Sequence, residues 1–313
     1  MDDPRVSVHS LTRRNLGPAK PVKTQGPYIA SAMRPEQAFR AILSDCVAQI
    51  TANAALLRAG RSVEGLHQLR VAFRRLDVAL CAFGKEFKQA WLEDLRGRGK
   101  ILSGRLAPAR DLDVFVGELL AGPPDSGGEG FDQLRVQAES VRDAAWEAVT
   151  ACITGADFEA FADDMASLAS SQLPLTRQRR LPKTAARMLD RQVARVKKRG
   201  RHARDEAELH RLRIALKKLR YTAEFFAPLY PRKSVKLYLK KLRGLQTLLG
   251  DLNDIANVRA VVGQVVRRGN DNQSPMCFAA GAVVGWYGAR TPQAAKQALK
   301  RYRKFRKVAP FWV

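Results

Sequence analysis

An eleven-residue stretch occurs twice in this chain, and its spacing limits the possible folds more than any other feature. Leu66-His67-Gln68-Leu69-Arg70-Val71-Ala72-Phe73-Arg74-Arg75-Leu76 returns as Leu209-His210-Arg211-Leu212-Arg213-Ile214-Ala215-Leu216-Lys217-Lys218-Leu219, a shift of 143 residues (210 − 67). The same shift carries Phe83 to Phe226, Lys100 to Arg243, Leu106 to Leu249 and Asp111 to Asp254 without a gap. A constant register over that length predicts one helical plan built twice. Each copy holds one histidine and a ladder of cations, so the pair predicts a single polyanion site assembled from both halves.

Charge narrows the partner class. With 55 Lys+Arg against 30 Asp+Glu the formal net charge is +25, which favours polyphosphorylated partners, nucleic acid or anionic lipid. At 313 residues and 46% hydrophobic content there is ample material for a buried core. Cys46, Cys81, Cys152 and Cys277 lie far apart with no CxxC spacing and read as reduced core residues. No apolar run is long enough for a membrane span, and the start, Met1-Asp2-Asp3-Pro4, lacks the pattern of a signal peptide, so the expectation is a cytoplasmic protein with no membrane partner.

The chain reads as all-α. Residues 1–33, with scattered Pro and Gly, are expected to be a flexible tail or linker. Helices are expected at about 35–58, 62–84, 87–106, 109–120 and 131–153, forming a first bundle over about 34–170. Residues 167–182 read as the junction. Further helices at about 184–199, 205–227, 233–248, 251–268, 276–289 and 292–307 form a second bundle over about 183–313. Gly- and Pro-rich loops are expected at 122–130 and 269–275. The architecture predicted is two pseudo-symmetric antiparallel helical bundles.

On a helical wheel with His67 at 0°, Arg70 falls near about 300°, Arg74 near about 340° and Arg75 near about 80°, while Leu66, Leu69, Phe73, Leu76 and Leu80 gather around about 220°. His210, Arg213, Lys217 and Lys218 repeat the cationic side, and Arg220 extends it. Lysines and arginines on a helix face are ordinarily solvated charge. Here acids that would relieve repulsion at i+4 are missing, so the ladder suits a chain of phosphates, which accepts charge-assisted hydrogen bonds from several cations at once. Lys100, Lys240 and Arg243 add charge from the next helix of each half. The candidate anion-binding set is therefore His67, Arg70, Arg74, Arg75, Lys100, His210, Arg213, Lys217, Lys218, Arg220, Lys240 and Arg243.

A metal role for the histidines is disfavoured, because their same-face neighbours are cations. A phosphohistidine relay would want an acidic residue orienting the ring, and none stands beside either. An anion-contacting or packing role is preferred, with nearby charge keeping the rings neutral until phosphate binds. Asp111 and Asp254, at matching positions near helix starts, read as ion-pair partners that hold the arginines rather than as catalysts. No catalytic residue, metal or cofactor is expected.

These motifs resemble the CHAD family, the conserved histidine α-helical domain. The likeness rests on His67 to Leu76 with Ala109-Arg110-Asp111-Leu112-Asp113, on Leu209 to Tyr221, and on Gln246 with Leu249-Gly250-Asp251-Leu252-Asn253-Asp254, and it runs from about Met33 to Pro310-Phe311-Trp312. The resemblance implies two helical bundles related by a pseudo-twofold, a basic central groove or pore, binding of inorganic polyphosphate, and association with polyphosphate granules. Asp77 departs from the family pattern, which is basic there. The segment Leu11–Ala32 is similar to the connector that joins such domains to a CYTH triphosphatase, but no β-rich segment or Glu-x-Glu-x-Lys motif is present.

Three function classes follow. A non-enzymatic polyphosphate-binding module ranks first. Nucleic-acid binding ranks second, because the sequence has no RRM-like aromatics or zinc-finger spacing with which to read bases. An enzyme, either a polyphosphate hydrolase or a histidine-dependent phosphotransferase, ranks last for want of clustered carboxylates or an activated nucleophile, and the accessory domain of a triphosphatase or other polyphosphate-processing enzyme stands as an alternative beside nucleic-acid binding. Protein partners are not legible.

Overall fold

The computed structural model describes residues 20–87, 90–124, 127–171, 180–268 and 274–313. The first part of the expected tail, half of the junction at 167–182 and most of the loop at 269–275 lie outside them, as do two residues of the loop at 122–130. Among the described residues the regular structure is helical throughout, and no helix is long and apolar enough to cross a membrane.

The first half runs α1 (Pro35–Ala59), α2 (Val63–Phe87), α3 (Ala90–Arg105), α4 (Ala107–Val114) with a π turn at Phe115–Leu119, α5 (Glu129–Thr154) and α6 (Ala156–Ser170). The second runs α7 (Leu181–His202), α8 (Glu206–Phe226) with a short 3-10 turn at Ala227–Leu229, α9 (Arg232–Arg267) and α10 (Ser274–Phe305). Adding 143 to the bounds of α2 gives 206 for its start, where α8 begins. The same sum carries the end of α1 to 202, where α7 ends, and the start of α3 to 233, one residue past the start of α9.

Local chemistry explains where the halves differ. Pro108 stands at the second position of α4, and a proline has no N–H to give the carbonyl four residues back, so α3 and α4 are separate helices. Its 143-shifted counterpart is Asp251, which donates normally, and α9 runs through as one helix where the sequence suggested a break at Gly250. Likewise Gly155, in extended backbone, separates α5 from α6, while its counterpart Ala298 lies inside the unbroken α10. α10 also carries Pro292 in its interior, where a break had been expected; the hydroxyl of Thr291 donates to the Tyr287 carbonyl there at 3.1 Å. α6 had no counterpart in the sequence reading, although its buried Phe158, Phe161, Met165 and Leu168 keep helical spacing.

Capping follows composition. The Asp205 carboxylate accepts from the Glu208 N–H at 2.8 Å and starts α8. At α1 the Gln37 side chain accepts from the Arg34 N–H at 2.7 Å, just before Pro35 opens the helix.

Both hydrophobic cores cross the division between halves. The larger gathers α1–α3, α6, α7, α8 and the first part of α9, with Phe39, Phe83 and Phe226 fully buried. The smaller joins Phe115, Phe131 and Leu134 of the first half to Val258, Val262, Met276 and Val283 of the second. Packing does not follow the expected partition at about 34–170 and 183–313 alone, since the apolar face of α5 is covered by α10, the helix at the 143-shifted position. Phe83 stacks on Phe39 at 4.7 Å and lies 6.0 Å from Phe226, its own equivalent in the second copy.

Residues 20–33 contain no helix, as expected of a linker, yet they are held along α1. Asn53 donates to the Val22 carbonyl at 2.9 Å and accepts from its N–H at 3.1 Å; Thr24 donates to Asp45 at 2.9 Å; Pro27 and Ile29 are buried. Of the four thiols read as core residues, Cys46 and Cys152 are buried, Cys81 is half-buried and Cys277 is exposed, so Cys277 does not fit that reading.

Arg75 is a correction to the anion-binding set. It is 2% exposed, and its guanidinium bonds Asp45 at 2.7 Å and Gln49 at 3.1 Å while lying 5.5 Å from the centre of the Phe225 ring. Its place on the wheel, about 80° from His67, turns it toward α1 and α8 instead of solvent. It therefore ties α2 to both neighbours. Replacing Arg75 with Met should lower unfolding free energy by about 3 kcal/mol, since breaking one side of a buried pair leaves its partner uncompensated. A urea titration checks this, and an unchanged midpoint would contradict the assigned role.

Candidate functional site

The site begins from the contact of α2 with α8. Their apolar stripes, Leu69, Phe73, Leu76 and Phe83 on one and Leu212, Leu216, Leu219 and Phe226 on the other, are buried and hold the helices in place. That packing brings Arg74 of α2 into the field of Arg213 and Lys217 of α8. Three pairs related by the 143 shift are neighbours: Phe83 with Phe226, Arg74 with Lys217, and Asp111 with Asp254.

α4 and α9 complete the cluster. From α4 come Arg110, which acts on both His67 and Arg70, and Asp111, which faces Arg70 and Arg213. From α9 come Asn253 and Asp254, the 143-shifted counterparts of those two. The Asn253 carboxamide oxygen lies 2.8 Å from Nδ1 of His210 and accepts from Arg213 at 3.1 Å. With that oxygen as acceptor, Nδ1 carries the ring proton and Nε2 is left for a ligand. Arg70 donates to the Ser103 carbonyl of α3 at 3.0 Å.

Six cations, Arg70, Arg74, Arg110, Arg213, Lys217 and Arg220, thus share a region with two carboxylates, Asp111 and Asp254. The side-chain Nε groups of Arg74, Arg213 and Arg220 are buried without a hydrogen-bond partner. Burial first, then Arg74 and Arg213, hold the Lys217 amine down to about 6. Burial and Arg74 bring Arg70 down to about 10, and burial lowers Arg213 despite Asp254. His67 is lowered by burial and then Arg110, as expected for a ring kept neutral. Asp111 is raised, by burial and in part by Asp254, in spite of the arginines around it. Burial is the largest cause of each of these shifts, and on Lys217, Arg70, Arg213 and His67 neighbouring cations add to it.

Two hollows adjoin the cluster. One, of about 320 Å³, lies between α2 and α3 and is lined by Arg70, Arg74, Asp77, Arg96 and Lys100. The other, of about 570 Å³, is lined by His210, Arg211, Arg213, Asn253 and Asn257, with Leu249 and Leu252 as its floor.

The remaining predicted residues sit outside this centre. Asp77 accepts from Arg96 at 2.7 Å and stands 3.8 Å from both Lys100 and Lys218, so one carboxylate gathers cations of α3 and α8 against α2. Arg220 and Arg243 share Glu224, at 3.9 and 3.1 Å. Lys240 is exposed one turn before Arg243. Arg110 and Asn253 were absent from the predicted set; each directly precedes a matched aspartate, and the 143 register would have drawn them in. Asp113, two residues past Asp111, lies elsewhere: it accepts from the Trp146 indole at 3.1 Å and is buried. Among the described residues no group of three or more His, Cys, Asp and Glu is placed to hold a metal ion.

Geometry of this kind defines an all-helical protein in which two matched helices hold a cationic cluster between them. The sequence profile of the CHAD domain matches residues 41–262, and the chain belongs to that family. Among solved structures, the CHAD domain from the plant Ricinus communis is similar at 26% identity and a TM-score of 0.80, over 93% of this chain and 98% of that one. PptA from Streptomyces chartreusis shares the fold at 19% identity and a TM-score of 0.65, over 87% of this chain and all of that one. No curated protein matches in sequence.

The Lys217 shift has a consequence for stability. Its amine binds a proton less readily folded, at about 6, than unfolded, near its ordinary 10.5. Between those values the unfolded chain carries the extra proton, so stability contributed by this group rises with pH across that window. Replacing Lys217 with Met should raise the melting temperature at pH 7, and the gain should shrink toward pH 10. Thermal melts of both proteins at several pH values test the sign; a gain that grows with pH would contradict it.

Proposed function

We propose that this protein binds inorganic polyphosphate, as a module without catalysis, through the cluster centred on Arg74, Arg213 and Lys217. The observation that carries the reading is the buried Nε donors of Arg74, Arg213 and Arg220, which have no hydrogen-bond partner and come from two helices that face each other. A chain of phosphates offers closely spaced acceptors of the right charge to several such donors at once, and guanidinium groups suit phosphate oxygens better than point cations do. The hollows beside Arg70 and His210 give an extended anion room on either side of the centre. Membership in the CHAD family supports the same ligand class, as the sequence motifs implied. His67 and His210 are assigned as anion contacts.

The placement of the acids supports reading the module as one that binds without hydrolysis. Asp111 and Asp254 stand among arginines, where they balance part of the charge and set guanidinium positions. Association with polyphosphate granules is the expected setting for such a module.

Isothermal titration with polyphosphates of defined length tests the reading. Each charge-assisted hydrogen bond contributes about 1.5–3 kcal/mol, so Arg74→Gln with Arg213→Gln should weaken binding by at least about a hundredfold. Affinity should fall as salt rises, through release of counterions. Orthophosphate should bind far more weakly than long chains, because multivalency along the surface is the source of affinity. Equal affinity for orthophosphate, or no loss in the double variant, would overturn the proposal; tighter binding of single-stranded nucleic acid at the same salt would favour that ligand instead.

Asp77 makes a second expectation. It occupies Lys100, Lys218 and Arg96 with the chain's own negative charge, at a position whose counterpart is Arg220. Asp77→Asn should free those cations and tighten polyphosphate binding about two- to fivefold, the scale of partly exposed ion pairs. Weaker binding in that variant would show that Asp77 orients the lysines rather than competing for them.

A further inference from the structure

We propose that the hollow of about 570 Å³ beside His210 is a site for a nucleoside phosphate, with the phosphate end on His210 and Arg213 and the flat base on an apolar floor under Arg204. This goes beyond the long-chain reading above and does not depend on it, since one phosphate group is enough to engage those two side chains. The first half shows what the space accepts. There the Trp146 indole is buried and held by two residues: the Arg61 guanidinium lies 4.9 Å from the ring centre, and the Asp113 carboxylate accepts from the indole N–H at 3.1 Å. The 143 shift carries Arg61 to Arg204 and Asp113 to Ala256, and both of these line the hollow. None of the residues lining it is aromatic, and α10 contributes only Thr291 and Ala295. The second half thus keeps the cation that can cover a ring and lacks the ring. Its volume falls within the range of about 300–1,000 Å³ usual for small-molecule sites.

Polar side chains narrow the ligand class. Leu209, Leu249, Leu252 and Ala256 line the hollow with apolar surface, which adds nothing to the binding of a bare phosphate chain. His210 and Arg213 are both set by the Asn253 carboxamide oxygen, 2.8 Å from the ring Nδ1 and 3.1 Å from the guanidinium, which leaves Nε2 and the other guanidinium N–H groups for an anion. The buried Nε of Arg213 has no partner. Asp205 and Glu206 line the same hollow. They repel further phosphates but accept from hydroxyl groups, as acidic side chains do from a ribose. Asn257 offers a donor and an acceptor to the edge of a base. A molecule with negative charge at one end, hydroxyls in its middle and a flat ring with polar edges at the other is a nucleoside phosphate.

Isothermal titration of the full chain with ATP and with tripolyphosphate, at equal salt and without magnesium, tests the assignment. ATP carries no more charge than tripolyphosphate, so any tighter binding measures what adenosine adds. ATP should bind at least about tenfold more tightly, the scale of a cation–π contact together with a buried ring face. Thr291→Trp supplies from α10 the ring that α5 supplies in the first half; it should remove this preference and leave tripolyphosphate binding in place. Equal affinity for ATP and tripolyphosphate overturns the inference, as does a preference that survives in the Thr291→Trp protein. Photolabelling of the unaltered chain with azido-ATP decides the matter even if that variant does not fold: label is expected in peptides spanning 204–213 or 249–257, and label confined to other peptides overturns the inference. Titration with long polyphosphate separates the two readings. Tight polyphosphate binding without an ATP preference removes the nucleoside phosphate site alone, whereas an ATP preference without polyphosphate binding supports the site and removes the long-chain reading.

Discussion

Like charges are held together here by apolar packing. Two cations 4 Å apart at an effective dielectric of about 20 repel by about 4 kcal/mol, more than an aromatic contact contributes beyond its buried area, about 0.5–1.5 kcal/mol. The cluster around Arg74 and Lys217 is therefore tolerable only because α2 and α8 bury long apolar stripes, and because Arg75 anchors α2 to Asp45 and Gln49 from behind. Burial first, and repulsion from neighbouring cations after it, lower the proton affinity of Lys217, Arg70, Arg213 and His67 in the folded protein. A bound polyanion would offset that repulsion, and binding energy of that origin scales with the number of phosphates engaged.

The surrounding helices serve this arrangement. Both cores cross between the halves, so neither set of cations can drift away from the other without exposing apolar surface. Asp111 and Asp254 moderate the charge at the centre, Asp77 does so at the edge beside α3, and Glu224 does so between Arg220 and Arg243. The acids are too few to neutralise the region, and their placement leaves its middle positive.

Much of this was legible before any coordinates. Leucine and phenylalanine spacing in Leu66–Phe83 and Leu209–Phe226 predicts two amphipathic helices, and the 143 shift predicts that their partners repeat. Arg75 was misplaced because its wheel position alone does not say whether the 80° side meets water or a third helix; α1 and α8 fill that side. Gly250 and Pro292 were read as breaks, yet both lie within long helices, because tertiary packing outweighs the roughly 1 kcal/mol cost of an interior glycine and the rest of α10 absorbs the lost proline hydrogen bond. Arg110 and Asn253 do not belong to the repeated basic motif; they matter because α4 brings Arg110 into the field of His67 and α9 brings Asn253 against His210.

Periodicity and composition determined that the chain is helical and strongly cationic, with one basic helical motif occurring twice, because those properties depend on residue type and on spacing along one element. Only the tertiary structure decided which cations meet. Whether Arg74 faces Lys217, whether Arg75 is ligand-facing or interior, and whether Asp77 is a loose surface charge or the knot of three helices all depend on the distance between residues far apart in sequence, and electrostatic energy is a function of that distance.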